Sequence, residues 1–324
     1  LLGQKRFFTP ATIKAADEAH GWTDALLLGP AAARLGGDPF PLDGALGVYG
    51  VRSAHDLGYC VFGPALFAFT AWLARRPQMQ AIDRLYFLSR EGWALAPIYD
   101  AVRAAVGEDA LPASSYLYVS RRAVLLAGQA TRFDPSVVIE GPEFNGTLGG
   151  LLKARMGVDL PDDVAAQTIS LPADAKAATR AVEAQRARIE AQAAPEGEAL
   201  RAYLAAEGLS GKSAVVDVGY RATIQQGLQK VTGHGLAGFY FGTFPEAAAV
   251  EAAQADGSSG SAFGYFGDRV DPRGHEPIVE QAILFEAFLT APHGQLDRFA
   301  ATDGGGVEPQ FLETSRTSDE IETL

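Results

Sequence analysis

The chain predicts an α/β fold with a mainly parallel sheet flanked by helices and additional helical segments. Short apolar runs rich in β-branched and aromatic residues alternate with longer helical patterns. Three of these runs, Arg84–Leu88 (RLYFL), Ser115–Val119 (SYLYV) and Ala214–Asp217 (AVVD), pass through a polar loop directly into a helix. That is the strand–loop–helix unit of a parallel sheet. No internal repeat interrupts the alternation.

Taken in order, residues 1–57 read as an N-terminal helical and loop extension. A helix is expected over Thr9–His20, with Thr9 as N-cap and Pro10 in its first turn, and an Ala-rich apolar stretch follows over Ala25–Leu35. His55–Arg76 reads as a helix bent near Pro64. Residues 58–294 form the α/β domain, with an insert at about 130–207. Within the insert, Ala173–Leu204 is expected as one or two exposed helices broken at Pro195–Gly197. Further strands are expected over Leu236–Thr243 and Ser261–Phe266, the second at an edge. Between them Glu246–Gly260 reads as a mobile loop of low complexity. Pro277–Thr290 has the spacing of an amphipathic helix. Residues 295–324 read as a tail, disordered from about Gly304 onward.

Composition bounds the function. With 324 residues, 48% hydrophobic and 20% charged, the chain can bury a sizeable core. A net charge of −12 argues against coating nucleic acid through a global field, though it leaves room for a local basic pocket. The single Cys60 excludes an internal disulfide framework and any multi-Cys metal site, and fits a reducing, cytoplasmic setting. The apolar run Tyr59–Leu73 is too short, and too interrupted by Gly63–Pro64, to span a bilayer. The first residue is Leu1, so a processed protein or a piece of a longer one is expected. Walker loops, G-x-S-x-G elbows and paired helical His ligands are absent. The string GHGLAG (Gly233–Gly238) runs from helix into strand, the reverse of a dinucleotide fingerprint.

Three loops carry candidate chemistry. After Leu88 come Ser89, Arg90, Glu91 and Gly92, a hydroxyl, a guanidinium, a carboxylate and a glycine in succession. After Val119 come Ser120, Arg121 and Arg122, so two strands end in the same Ser-Arg pair before a helix. In a parallel sheet both loops lie on one edge. Arg suits forked recognition of phosphate, and glycine permits close approach of a ligand. The third strand ends on Asp217, then a turn of Gly219, Tyr220, Arg221 and Ala222 leads to a helix at Thr223, whose N-terminus favours anions. The plainer alternatives are a solvated ion pair at Arg90, a surface pair at Arg121–Arg122, and an Asp217 that only caps its helix.

GKSAVVDVGYRATIQQGLQKVTGHGLAGFYFGT resembles the phosphoribosyl-diphosphate (PRPP) loop region of type I phosphoribosyltransferases, and LYFLSREGWALAPIYDAV resembles the diphosphate loop of that fold. FGP…FLSREGW, YLYVSRRA, VDVGYRATIQ and ILFEAFLTAPHG together are similar to a bacterial family of PRPP-dependent polysaccharide ribofuranosyltransferases. Members are commonly paired with a haloacid-dehalogenase-type phosphatase, which is not in this chain. The similarity spans roughly Leu57–Gly294. Val218 stands where the phosphoribosyltransferases carry a second acid, and Arg221 where they carry a small residue.

The resemblance implies transfer of 5-phosphoribofuranose from PRPP to a glycan hydroxyl, with inversion and release of diphosphate, in cell-surface polysaccharide (O antigen) biosynthesis. On it, Arg90 and Arg121, with Arg122 as second choice, meet the diphosphate together with Mg²⁺. The turn Gly219–Thr223 takes the 5-phosphate, and Asp217 holds ribose hydroxyls, contacts Mg²⁺ or acts as base. Glu91 and Glu286 are the other candidate bases. Two rivals stand beside this reading. One is a non-catalytic module that binds PRPP or a nucleotide and regulates a partner. The other is a sugar-nucleotide glycosyltransferase, for which no D-x-D motif is present.

Overall fold

The structure is a computed structural model, and it describes residues 53–141, 143–272, 282–302 and 304–313. The helices expected over 9–20 and 25–35 lie outside the described residues. The chain divides into two units, one up to Arg76 and one from Pro77 to Thr323. The expected boundary at residue 57 therefore moves to the end of a helical run. In the first unit, α1 (Ala54–Leu57) continues through a π turn, Gly58–Phe62, into α2 (Gly63–Ala74). The run is irregular at the π turn, where Gly63 N bonds Gly58 O, and Pro64 follows directly in the first turn of α2.

The second unit is built on a five-stranded, all-parallel sheet in the order β2-β1-β5-β6-β7. Its strands are β1 (Arg84–Leu88), β2 (Ala113–Leu117), β5 (Ser213–Asp217), β6 (Ala237–Gly242) and β7 (Ser261–Gly267). β1, β5 and β6 read as nearly continuous apolar runs because helices cover both faces. Tyr86, Leu88, Leu117 and Val215 share one core with Val124, Leu200 and Leu228. These last three come from α4 (Arg121–Thr131), α9 (Arg186–Glu207) and α10 (Thr223–Thr232). On the opposite face Phe87 packs on Tyr99 of α3 (Gly92–Val106), with ring centroids 5.5 Å apart.

The insert folds as a body with its own core. It contains α5 (Ser136–Ile139), the hairpin β3 (Phe144–Thr147) and β4 (Thr168–Leu171), α6 (Leu148–Met156), α7 (Asp162–Ala165) and α8 (Ala175–Ala184). Its apolar side chains close on Leu125 and Leu126 of α4, whose other side, Val124 and Ala127, faces the sheet. α4 is thus covered on both sides, which explains its buried run from Ala123 to Gln129.

Three expectations need correction. α9 runs unbroken through Pro195, and the break falls instead at Gln185. Ile189, Ala193, Gly197, Leu200 and Leu204 keep one buried stripe on both sides of the proline, so packing outweighs the lost backbone bond. Residues 246–260 are not a loose loop. A 3-10 helix spans Pro245–Glu251, and Val250 O accepts from Gln229 Nε2 at 3.0 Å and from Gly260 N at 3.1 Å. Finally, residues 296–311 are not a tail. They form an antiparallel hairpin of β8 (Leu296–Ala301) and β9 (Val307–Phe311), and Leu296 and Phe299 enter the core beside Tyr203. The last helix, α11, is described over Ala282–Leu289. The remainder of the expected 277–290 helix lies outside the described residues.

α10 crosses α4 at Gly227, where a Cβ would stand 2.5 Å from Val124 Cβ. Gly227→Ala is therefore expected to lower unfolding free energy by about 1–3 kcal/mol, with urea denaturation as the measurement.

Candidate active site

The parallel register sets the three loops level. Leu88 pairs with Leu117, and Phe87 with Val216, so β1, β2 and β5 end together. From β1 the chain winds one way to β2, while β5, β6 and β7 continue on the other side. The winding reverses between β1 and β5, and the crevice beyond the carboxyl ends at such a point is where open α/β sheets bind ligands.

Ser89 and Ser120 hold this edge together. Ser89 Oγ donates to Val119 O at 2.6 Å and accepts from Val119 N at 2.8 Å, tying the β1 loop to the β2 loop. Ser120 caps α4 by accepting from Ala123 N at 3.1 Å. Both hydroxyls, expected to meet substrate, are engaged with backbone. Gly92, expected to admit a ligand, admits its own strand: a Cβ there would stand 2.6 Å from the Phe87 carbonyl carbon.

The two arginines of α4 part company, since successive helical residues point about 100° apart. Arg122 turns away from the crevice to pair with Glu196 at 3.4 Å and Asp297 at 3.3 Å, a part-buried network joining α9 and β8. The guanidinium expected as second choice for the diphosphate is thus already engaged by two carboxylates. Arg121 is exposed at the start of the helix. Among the described residues the guanidinium groups of Arg90 and Arg121 make no hydrogen bond or ion pair.

Three carboxylates from distant segments converge here. Asp217 is pushed well up by burial, and further by Glu91 and Glu286, against the lowering effect of its bonds from Val218 N and Gly219 N. Its Oδ1 accepts from Val218 N at 2.8 Å, so it also pins its own turn. Glu286 of α11 is raised by burial and by Glu91, with Arg121 pulling it down. A Cβ built at Gly219 would lie 3.9 Å from Glu286 Oε1, which sets that carboxylate over the turn. Glu91 Oε2 accepts from Arg90 N at 3.1 Å, and the Ser89–Arg90 peptide is cis.

The turn after Asp217 completes the site. Tyr220 stacks on Phe244 with centroids 5.1 Å apart, and its buried hydroxyl has no hydrogen-bond partner among the described residues. Burial raises that phenol, and Glu286, Asp217 and Glu91 raise it further. Ala222 takes a left-handed conformation, φ 53°, and offers α10 no side-chain cap. A strained residue at an uncapped helix start marks a loop held for a reason other than stability. Gln225 fixes the helix beneath it, donating to Leu236 O and Ser261 O at 2.7 and 3.0 Å and accepting from Tyr240 Oη at 2.8 Å. Arg221 lies 3.7 Å from Glu246. Arg155, from α6 of the insert, has its guanidinium lowered by burial and by Arg121 and Arg221. It donates hydrogen bonds to Val138 O and Glu140 O within the insert. Arg155 was not singled out from the sequence, because only the folding of the insert onto α4 brings it near.

Asp217 and Glu91 offer the hard oxygen ligands that Mg²⁺ takes. Among the described residues no three His, Cys, Asp or Glu stand close enough to hold an ion by themselves. Among them, too, no helix is long and apolar enough to cross a membrane. Comparison with known protein families and with curated proteins finds no match.

Asp217 and Glu286 bind protons more tightly in the folded chain than in the unfolded one. Their stabilisation is full below the ordinary carboxylate range and fades as pH rises through their raised values. Asp217→Asn removes the larger part of this. Its melting temperature is expected to match wild type near pH 4 and to exceed it by a few degrees, roughly 1 kcal/mol, at pH 8. A gap that stays constant across a pH series of thermal melts counts against the buried carboxyl.

Proposed function

We propose that the chain is a pentosyltransferase that moves 5-phosphoribofuranose from PRPP to a hydroxyl of a glycan acceptor. The observation that supports it most is the meeting of Asp217, Glu91 and Glu286 beside the unpaired Arg90 and Arg121 at the reversal of the sheet. An acidic floor suits a reacting carbon that becomes cationic, and a basic rim suits a departing polyanion.

In the reaction the acceptor oxygen forms a bond to C1 of the ribose while the bond from C1 to the diphosphate oxygen breaks. The hydroxyl proton passes to a carboxylate, and diphosphate carries away the bonding pair. Attack opposite the leaving group converts the α-linked donor to a β-ribofuranoside. Arg90 and Arg121 bind the diphosphate. Mg²⁺, bound through the donor and Asp217 or Glu91, would neutralise its charge. Thr223 and the uncapped start of α10 bind the 5-phosphate, with Arg221 released from Glu246.

The burial of Asp217 divides the carboxylates by role. Asp217, pinned by Val218 N and shielded from water more than Glu286, is placed to meet a ribose hydroxyl or the metal and not to serve as base. Glu286, on the more exposed α11, is the base that receives the acceptor proton. Glu91 holds the other two up and orients the Arg90 loop.

Diphosphate release and ³¹P NMR on the full chain with PRPP, Mg²⁺ and a mixed oligosaccharide pool test the reading. Arg90→Ala and Asp217→Asn are each expected to lose at least ~10²-fold in kcat/KM while melting cooperatively. PRPP that binds without releasing diphosphate under any acceptor assigns the chain to the regulatory-module alternative. The pH profile of kcat/KM is expected to fall on the acid side at a pH above the ordinary glutamate range, as Glu286 takes up its proton. Glu286→Gln is expected to lower the rate and abolish that acid limb, and a limb that survives moves the base elsewhere.

A further inference from the structure

The carboxyl end of β2 carries a row of aromatic rings that the chemistry above leaves unused. Trp93, in the first turn of α3, meets Tyr116 edge-on with ring centroids 5.7 Å apart. Tyr116 meets Tyr118 at 5.3 Å, and Tyr118 meets Phe311 of β9 at 5.3 Å. His293, after α11, closes the row from the side, 5.3 Å from Tyr118 and 4.8 Å from Phe311. Both ends are open to solvent, Trp93 at 49% and Phe311 at 36% exposure.

The row is continuous with the site. Tyr116 Oη lies 3.5 Å from Arg90 O, and Trp93 follows Glu91 by two residues. Polar groups interleave the rings: Tyr116 Oη pairs with His293 Nε2 at 2.8 Å, while His293 Nδ1 faces Gly294 O at 2.8 Å. A carbonyl only accepts, so Nδ1 carries the proton, and in the neutral ring Nε2 accepts from Tyr116. None of the five side chains is an acid, a lysine or an arginine.

We infer that this row is the acceptor subsite, a platform on which the sugar rings of a neutral glycan stack so that a terminal hydroxyl reaches Glu286. This rests on the transferase reading given above. A sugar ring presents an apolar face of C–H groups, weakly positive, which complements the negative face of an aromatic ring. Its rim of hydroxyls needs hydrogen-bonding partners beside that face, and the Tyr118 hydroxyl and the accepting lone pairs of Tyr116 Oη supply them. The edge-to-face contacts fix the rings in place beforehand, so little side-chain freedom is lost on binding. A dry protein interface would call for a broader apolar patch, free of interleaved hydroxyls. An acidic polysaccharide would meet a chain of net charge −12 with no cation in the row.

The test uses the full chain and four neutral probes: cellotetraose, maltotetraose, chitotetraose and mannotetraose. Saturation-transfer NMR and thermal shift read their binding, and PRPP binding is measured in parallel. At least one probe is expected to bind, with saturation strongest on its C–H faces. Trp93→Ala and Phe311→Ala are each expected to weaken it at least tenfold and to leave PRPP affinity unchanged within twofold, while Trp93→Phe retains binding. Failure of all four probes, or undiminished binding by both alanine variants, overturns the assignment. So does a dimer seen by sedimentation that Trp93→Ala dissolves, since a second copy would then own the row. PRPP binding with no oligosaccharide binding sinks the platform alone. Trp93-dependent oligosaccharide binding without PRPP binding sinks the donor reading and leaves a glycan site.

Discussion

Everything at the functional edge depends on β1 being paired in parallel on both sides, with β2 and β5 level at their carboxyl ends. A single strand thereby brings together two loops that lie far apart in sequence. Pairing alone leaves the loops free to splay. The Ser89 hydroxyl prevents this by taking both the N–H and the C=O of Val119 into its own bonds. Gly92 then lets α3 begin against the backbone of Phe87, which keeps the Arg90 loop short and directed outward. The residues around Arg90 are thus mostly scaffold, and that scaffold leaves its guanidinium unengaged.

The same reasoning separates the arginines that a sequence cannot separate. Arg121 and Arg122 look equivalent as letters, and the repeated Ser-Arg pair makes Arg121 the analogue of Arg90. Only the placement of α9 and β8 shows that Arg122 is consumed by Glu196 and Asp297. The parallel sheet, its strand–loop–helix units and the convergence of three loops were legible because apolar period and loop chemistry are local properties. Less legible were features decided by remote partners. Pro195 lies inside a helix because α9 packs on α4 close by, at Gly197, and residues 246–260 are ordered because Gln229 reaches them. The 296–311 hairpin depends on a core that includes Tyr203, almost a hundred residues earlier in the chain.

An acidic cluster on a sheet edge costs stability, since carboxylates that crowd together must take up protons to coexist. Asp217 is nevertheless half-buried near Glu91 and Glu286, and Tyr220 leaves a buried hydroxyl unpartnered among the described residues. Strain at Ala222 adds to the cost. Three unfavourable features in one loop and its neighbours are hard to explain as packing, because apolar replacements would serve packing better. In the proposed reaction a cationic centre and an anion would satisfy the acids and the uncapped helix at once. Under the proposed reaction, this is why the loop would keep features that packing alone does not reward.

The Arg90 peptide faces both halves of that site. Its N–H is held by Glu91, a member of the carboxylate cluster, and its carbonyl faces the hydroxyl of Tyr116, the first polar group of the aromatic row. Diphosphate drawing on the Arg90 guanidinium would therefore pull on backbone that faces both the carboxylates and the proposed acceptor platform. In a transferase this linkage has a use, since a donor that ionises before the acceptor is seated is lost to water. If the proposed reaction holds, one short loop, fixed by a serine behind it and a glycine after it, would link departure of the diphosphate to the incoming hydroxyl.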